Sequence, residues 1–208
     1  MSEKEKLIRE IKSQMLSDKS LPLRKGAHNL VFGDGDPEAE IIFIGEGPGY
    51  WEDQKGTPFV GNAGALLNQL LASVNLNREN VFITNVVHYR PPENRDPEPS
   101  ELDAFRPYLD RIIEIIKPKI IVTLGRFSMA KFLPGVTISR VHGKEKQLKW
   151  EDNEIWVIPM YHPAAGLRST DIKRQLFEDF KRIPEIQEKT RKSEEVNQGT
   201  KVQQMKLV

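Results

Sequence analysis

The turn Ile44–Gly49, IGEGPG, follows an apolar run and is itself followed by Trp51, Glu52 and Asp53. A glycine-rich turn after a strand invites a phosphate-binding reading, but the glycines at 45, 47 and 49 fit neither G-x-G-x-x-G nor the P-loop pattern. No Lys-Ser/Thr pair follows, and Glu46, Glu52 and Asp53 would repel phosphate. Taken alone, the segment reads equally well as a tight turn whose glycines supply backbone freedom. Metal chemistry has little support. The chain has no cysteine, its four histidines (His28, His88, His142 and His162) show no ligand spacing, and H-E-x-x-H is absent.

Three further residues suit recognition of a flat heterocycle. Phe59, in KGTPFVGNAG, stands in a loop between glycines, as a core anchor or as a stacking surface for an unstacked base. Asn85 ends an apolar run, where its carboxamide offers a donor beside an acceptor. That pair matches N3–H and O4 of uracil, whereas cytosine reverses the polarity and would leave buried groups unpaired. Strand-end asparagines also form turns. His162, in YHPAAGLR, is either a structural loop histidine or a neutral donor to a carbonyl oxygen that gains charge as a bond breaks.

The elements that must position these residues alternate between strand and helix patterns. EIIFIGE (Glu40–Glu46), NVFITNV (Asn80–Val86), KIIVTLG (Lys119–Gly125) and IWVIPMY (Ile155–Tyr161) are short, β-branched and bounded by turn residues. Between them, NAGALLNQLLASVN has Asn62 as N-cap, and PSELDAFRPYLDRIIEIIK opens at Ser100 with Pro107 expected at a kink or boundary. A closing helix is expected over Asp171–Arg182. These patterns predict an α/β fold, a three-layer α/β/α sandwich around a mainly parallel four-stranded sheet, with the distinctive loops gathered beyond the strands' carboxyl ends. A single domain is expected over residues 1–183, with 184–208 a charged, flexible tail.

At 208 residues, 38% hydrophobic and 29% charged, the chain has an ordinary soluble composition with no apolar run suited to a membrane span. The charged amphipathic start, MSEKEKLIREIKSQML, lacks a signal-peptide pattern, and a cytoplasmic location is expected. Net charge is +1, yet Lys117 to Lys149 carries eight basic residues against the single acid Glu145. That segment reads as a solvated face or as one turned toward a polyanion.

In this order, GEGPG, ED, G-x-PFVG-x-AG, TNVVHYRPPENRDP, KPKIIVTLG and YHPAA resemble the uracil-DNA glycosylase superfamily, and its family 4 most closely. The resemblance runs from about Leu21 to Arg168. It implies an enzyme that flips uracil out of single- or double-stranded DNA and hydrolyses its N-glycosidic bond, leaving an abasic site. By resemblance Phe59 stacks on the base, Asn85 reads its edge, Glu52 lies near C5 against a thymine methyl, and Gly45 and Gly47 belong to the base-binding turn. His162 stabilises the departing anion. Glu46 activates water with support from Asn94, although the best-known branch of the superfamily has an aspartate where Gly47 stands.

Leu167 is the expected wedge into the vacated stack, with Arg168, Lys144 and Arg126 on DNA. A monomer without metal or lyase activity is expected. Two rivals remain: a uracil-DNA binding module without cleavage, and a glycosylase of the same fold for hypoxanthine or xanthine. Family 4 usually holds a four-iron, four-sulfur cluster on four cysteines, and the corresponding positions here are Asp18, Leu21, Tyr89 and Phe105. Leu21, Tyr89 and Phe105 are expected to pack as an apolar plug in place of the cluster.

Overall fold

The computed structural model describes residues 1–150 and 153–192. In chain order they form α1 (Glu3–Ser17), β1 (Asp34–Gly35), β2 (Ile41–Gly45), α2 (Tyr50–Lys55), α3 (Asn62–Ser73), β3 (Phe82–Asn85), α4 (Pro99–Ile116) and β4 (Ile120–Leu124). There follow α5 (Arg126–Phe132), α6 (Ile138–Val141), β5 (Lys146–Trp150), β6 (Asn153–Met160), α7 (Pro163–Arg168) and α8 (Thr170–Phe180). A last helix, α9, covers residues 182–192.

The sheet has six strands in the order β1-β3-β2-β4-β6-β5, two more than the pattern predicts. The inner four, β3-β2-β4-β6, are parallel, as expected. The additions are antiparallel edges, β1 on β3 and β5 on β6. Their signatures are short: β1 is only Asp34–Gly35, and in KQLKW only Leu148 and Trp150 are apolar, two half-buried side chains that rest on the core while the lysines and Gln147 face solvent.

Alternation along β2 assigns its side chains to two cores. Ile42 and Ile44 face a layer built on Ile8, Ile11 and Met15 of α1 and on Phe105, Leu109 and Ile112 of α4. Ile41 and Phe43 face a layer built on Leu66, Leu67 and Leu70 of α3 and on Leu176 and Phe180 of α8. This is the expected three-layer sandwich.

Local starts differ from the pattern. α4 opens at Pro99, with Glu98 as N-cap and Glu101 completing a capping box, so the cap lies two residues before Ser100. It runs through Pro107 because the buried stripe Phe105, Leu109, Ile112, Ile113 and Ile116 outweighs one missing backbone bond. α3 is capped by Gly61, with Asn62 its first residue.

The first residues of the expected tail are part of a docked helix. Residues 182–192 are helical, and Ile183 and Ile186 are fully buried against the α3–α8 layer. Two isoleucines three apart suffice to dock a helix whose remaining faces are polar. The rest of the expected tail lies outside the described residues.

Candidate active site

Because β2, β3, β4 and β6 are parallel, their carboxyl ends open onto one edge. A cavity of about 420 Å³ lies there, and Glu46, Gly47, Glu52, Phe59, Asn85, Asn94, His162 and Arg168 all line it. Gly45 does not itself line the cavity but makes room for two residues that do. A Cβ at that position would lie 2.4 Å from Asn85 Oδ1 and 2.8 Å from two ring atoms of Phe59, so only glycine lets both groups converge. Asn85, paired in register with Gly45, is 2% exposed, and its Oδ1 is buried with no hydrogen-bond partner among the described residues. Phe59 is buried and holds a left-handed backbone (φ 51°), its ring stacked on His162 with centroids 5.5 Å apart and planes at 26°.

His162 is the N-cap of α7. Its Nδ1 accepts the Ala164 N–H at 3.1 Å, which leaves the ring proton on Nε2. Desolvation by the surrounding protein lowers its pKa to about 4, against the pull of Glu52, so the ring is neutral at physiological pH. Glu46 stands at the start of α5, where its Oε1 accepts the Phe127 N–H at 3.0 Å. Burial raises its pKa above the ordinary carboxylate value, and amide bonds from Phe127 and Arg126 offset part of that rise.

Glu52 reaches the cavity wall but spends its Oε1 on the loop that carries Phe59, accepting N–H bonds from Val60 (2.8 Å) and Gly61 (2.7 Å). Asn94 sits exposed at the mouth, its Oδ1 accepting from Arg90 Nε at 2.8 Å. Asp53 is buried away from the cavity, holding the N–H groups of His28 (2.8 Å) and Asn29 (3.2 Å).

A family model described as the uracil DNA glycosylase superfamily matches residues 32–182. The chain belongs to that superfamily.

Among similar proteins of the superfamily is a type-4 uracil-DNA glycosylase from Sulfurisphaera tokodaii, 48% identical over 185 residues that cover 86% of this chain and 84% of that protein. Another type-4 uracil-DNA glycosylase, from Archaeoglobus fulgidus, is 45% identical, covering 85% and 92%. A third, from Thermotoga maritima, is 38% identical, covering 88% and 95%. The resemblance to family 4 read from the motifs is therefore borne out.

In this superfamily member, Leu167 is half exposed on α7 beside Arg168. Lys144 and Arg126 do not line the cavity. Lys144 is exposed and bonds the Arg140 carbonyl at 2.9 Å, and Arg126 pairs with Asp96, which does line it. The basic segment as a whole is not one face: Lys119 pairs with Glu40 at the strands' amino ends, and Lys131 is largely buried against Asp110. Sequence neighbours were dispersed by the strand–helix alternation, which sends successive turns to opposite edges of the sheet.

Sequence reasoning missed Arg78. Its guanidinium donates to the carbonyls of Pro58 and Phe59 and to Asp34, closing the Phe59 loop from behind. Gly64 completes that cage, since a Cβ there would lie 1.9 Å from the Phe59 carbonyl oxygen. The glycine stands in the quoted motif; Arg78 is far off in sequence and carries no local signal.

The four positions corresponding to cluster cysteines do not fit an iron–sulfur group. Leu21, Tyr89 and Phe105 are buried in one apolar core, with the Tyr89 and Phe105 rings 6.2 Å apart. Asp18 accepts from Ser20 and, at 2.7 Å, from Tyr108 Oη. Among the described residues no group of three or more His, Asp or Glu is arranged to hold a metal, and no helix is long and apolar enough to cross a membrane.

Proposed function

We propose that this chain is a single-domain, monomeric, cytoplasmic enzyme that extrudes uracil from single- or double-stranded DNA and hydrolyses its N-glycosidic bond, leaving an abasic site. The observation that carries the reading is the unpartnered, buried Asn85 Oδ1 beside the Phe59 ring at the cavity floor. A buried acceptor without a donor costs about 1–3 kcal/mol, which uracil N3–H recovers while the Asn85 amide donates to O4.

The bond from C1′ to N1 breaks with its electron pair passing to the base. His162 Nε2–H meets the charge that develops on O2, and its neutral tautomer is held by the Ala164 amide. Water adds to C1′ and gives its proton to Glu46, whose raised pKa suits a base. Asn94 and Arg168 act at the mouth, on solvent and on phosphate, and Leu167 fills the vacated stack. Glu52 excludes a thymine methyl through the loop it braces. Among the described residues no lysine lines the cavity, which supports hydrolysis without a Schiff base. The apolar plug supports operation without an iron–sulfur cluster.

The test uses a uracil-containing oligonucleotide with excess protein. Strand breaks that appear only after alkali are expected. Breaks before alkali mean lyase activity, and none at all reduces the chain to a uracil-binding module. Hypoxanthine and xanthine oligonucleotides in competition should be released far more slowly. Asn85→Asp should gain weak cytosine release, because an aspartate there accepts the cytosine amino group.

A further inference from the structure

Two aromatic side chains lie outside both cores. Tyr50 and Trp51, the first residues of α2, are 49% and 56% exposed and meet edge to face with ring centroids 5.1 Å apart. Their place is the rim of the cavity: Pro48 and Gly49 just before them and Glu52 just after are all in its wall. Trp51 lies over Gly61, where an added Cβ would meet the indole Cδ1 at 3.4 Å and Glu52 Oε1 at 3.3 Å. Tyr50 carries the Arg90 guanidinium 5.3 Å from its ring centroid, and Arg90 in turn bonds Asn94 at the mouth. The pair is thus braced from the cavity wall while much of its aromatic surface faces solvent.

We propose that Tyr50 and Trp51 form a stacking platform for the unpaired base that neighbours the extruded uracil in single-stranded DNA. The inference rests on the uracil-DNA reading of the cavity and extends it to the strand outside. Aromatic faces hold bases of any sequence, and they act together with basic groups that follow the backbone. Of the basic residues at this edge, Arg90 lies against the Tyr50 ring, Arg168 lines the cavity, and Arg126 is paired with Asp96. In a duplex the neighbouring base stays stacked and paired, so the platform acts on single strands alone.

Uracil release is measured on one oligonucleotide, single-stranded and annealed, with wild type, Tyr50→Ala/Trp51→Ala and Trp51→Phe. The double variant should raise KM for the single strand roughly tenfold, leaving kcat and the duplex KM within about twofold, while Trp51→Phe stays near wild type. A single-strand KM unchanged in a folded double variant overturns the proposal and points to a protein partner instead. Equal KM increases on both substrates overturn it as well. If wild type releases no uracil, the reading of the cavity has failed rather than the platform. Binding of a labelled uracil-free single strand then decides the platform by itself, with roughly tenfold weakening in the double variant expected and no weakening refuting it.

Discussion

Glu46 holds a carboxylate where burial disfavours charge, and the resulting upward shift fixes the direction of a pH effect. As the proposed base it would work only when ionised, so the expected rate rises with pH as the proton leaves, along a limb above the ordinary 4.5. His162, held down to about 4, is already neutral across that range and adds no inflection near 6.5. Single-turnover rates of wild type and Glu46→Gln across the acid range check this. The variant should lose the limb and about 10²–10⁴ in rate; a limb that persists assigns the base elsewhere. At this scale the sequence was informative. Asn85, Phe59 and His162 could be picked out because each is an unusual residue at a strand end or in a glycine-bounded loop. What it could not reveal was the support: the amides under Glu46 come from α5, on a different strand's loop.

The Phe59 loop is held by atoms from three other elements. Glu52 of α2 accepts its N–H groups, Arg78 from the turn before β3 donates to its carbonyls, and Gly64 of α3 leaves room for the Phe59 oxygen. This over-determination is what keeps a phenylalanine at φ 51°, a conformation few side chains adopt unaided. Arg78→Ala removes the donors to two carbonyls and lets the ring drift, and a misplacement of about 1 Å can cost on the order of 10²-fold in rate. The expected outcome is kcat/KM lower by about 10- to 100-fold on both substrate forms, with Arg78→Lys intermediate, since a lysine keeps the charge beside Asp34 and loses the fork. An Arg78→Ala enzyme with unchanged kinetics would show that the loop holds itself. Elements were legible where their own residues fix them, as in the four central strands and the α3 stripe. They were less legible where a neighbour does: Asp34–Gly35 takes its strand form from the edge of β3, and KQLKW from the edge of β6 together with the seats of Leu148 and Trp150 on the core.

Across the whole molecule, the amino-terminal helix must be fastened to the sheet layer, and here apolar packing does it. Ile8, Ile11 and Met15 of α1, Leu21 after it, Tyr89 after β3 and Phe105 on α4 share one core. Tyr108 adds a hydrogen bond to Asp18 just past the helix end, and Arg24 bonds the carbonyls of Leu16 (2.6 Å) and Asp18 (3.0 Å). Phe105 is fully buried at the centre of this contact and also meets the buried His88 ring at 5.6 Å. Phe105→Ala should therefore cost about 3–5 kcal/mol in urea unfolding, and more than any surface change on α4. If packing is the fastening, the melting temperature of wild type is indifferent to iron chelators and the purified chain contains no stoichiometric iron. A tightly bound iron, or a Phe105→Ala variant as stable as wild type, would mean that something other than this core joins α1 to the sheet. The same reasoning covers the opposite layer, where Ile186→Ala should cost about 2–5 kcal/mol because α9 is docked there, and a neutral effect would return that segment to the status of a tail.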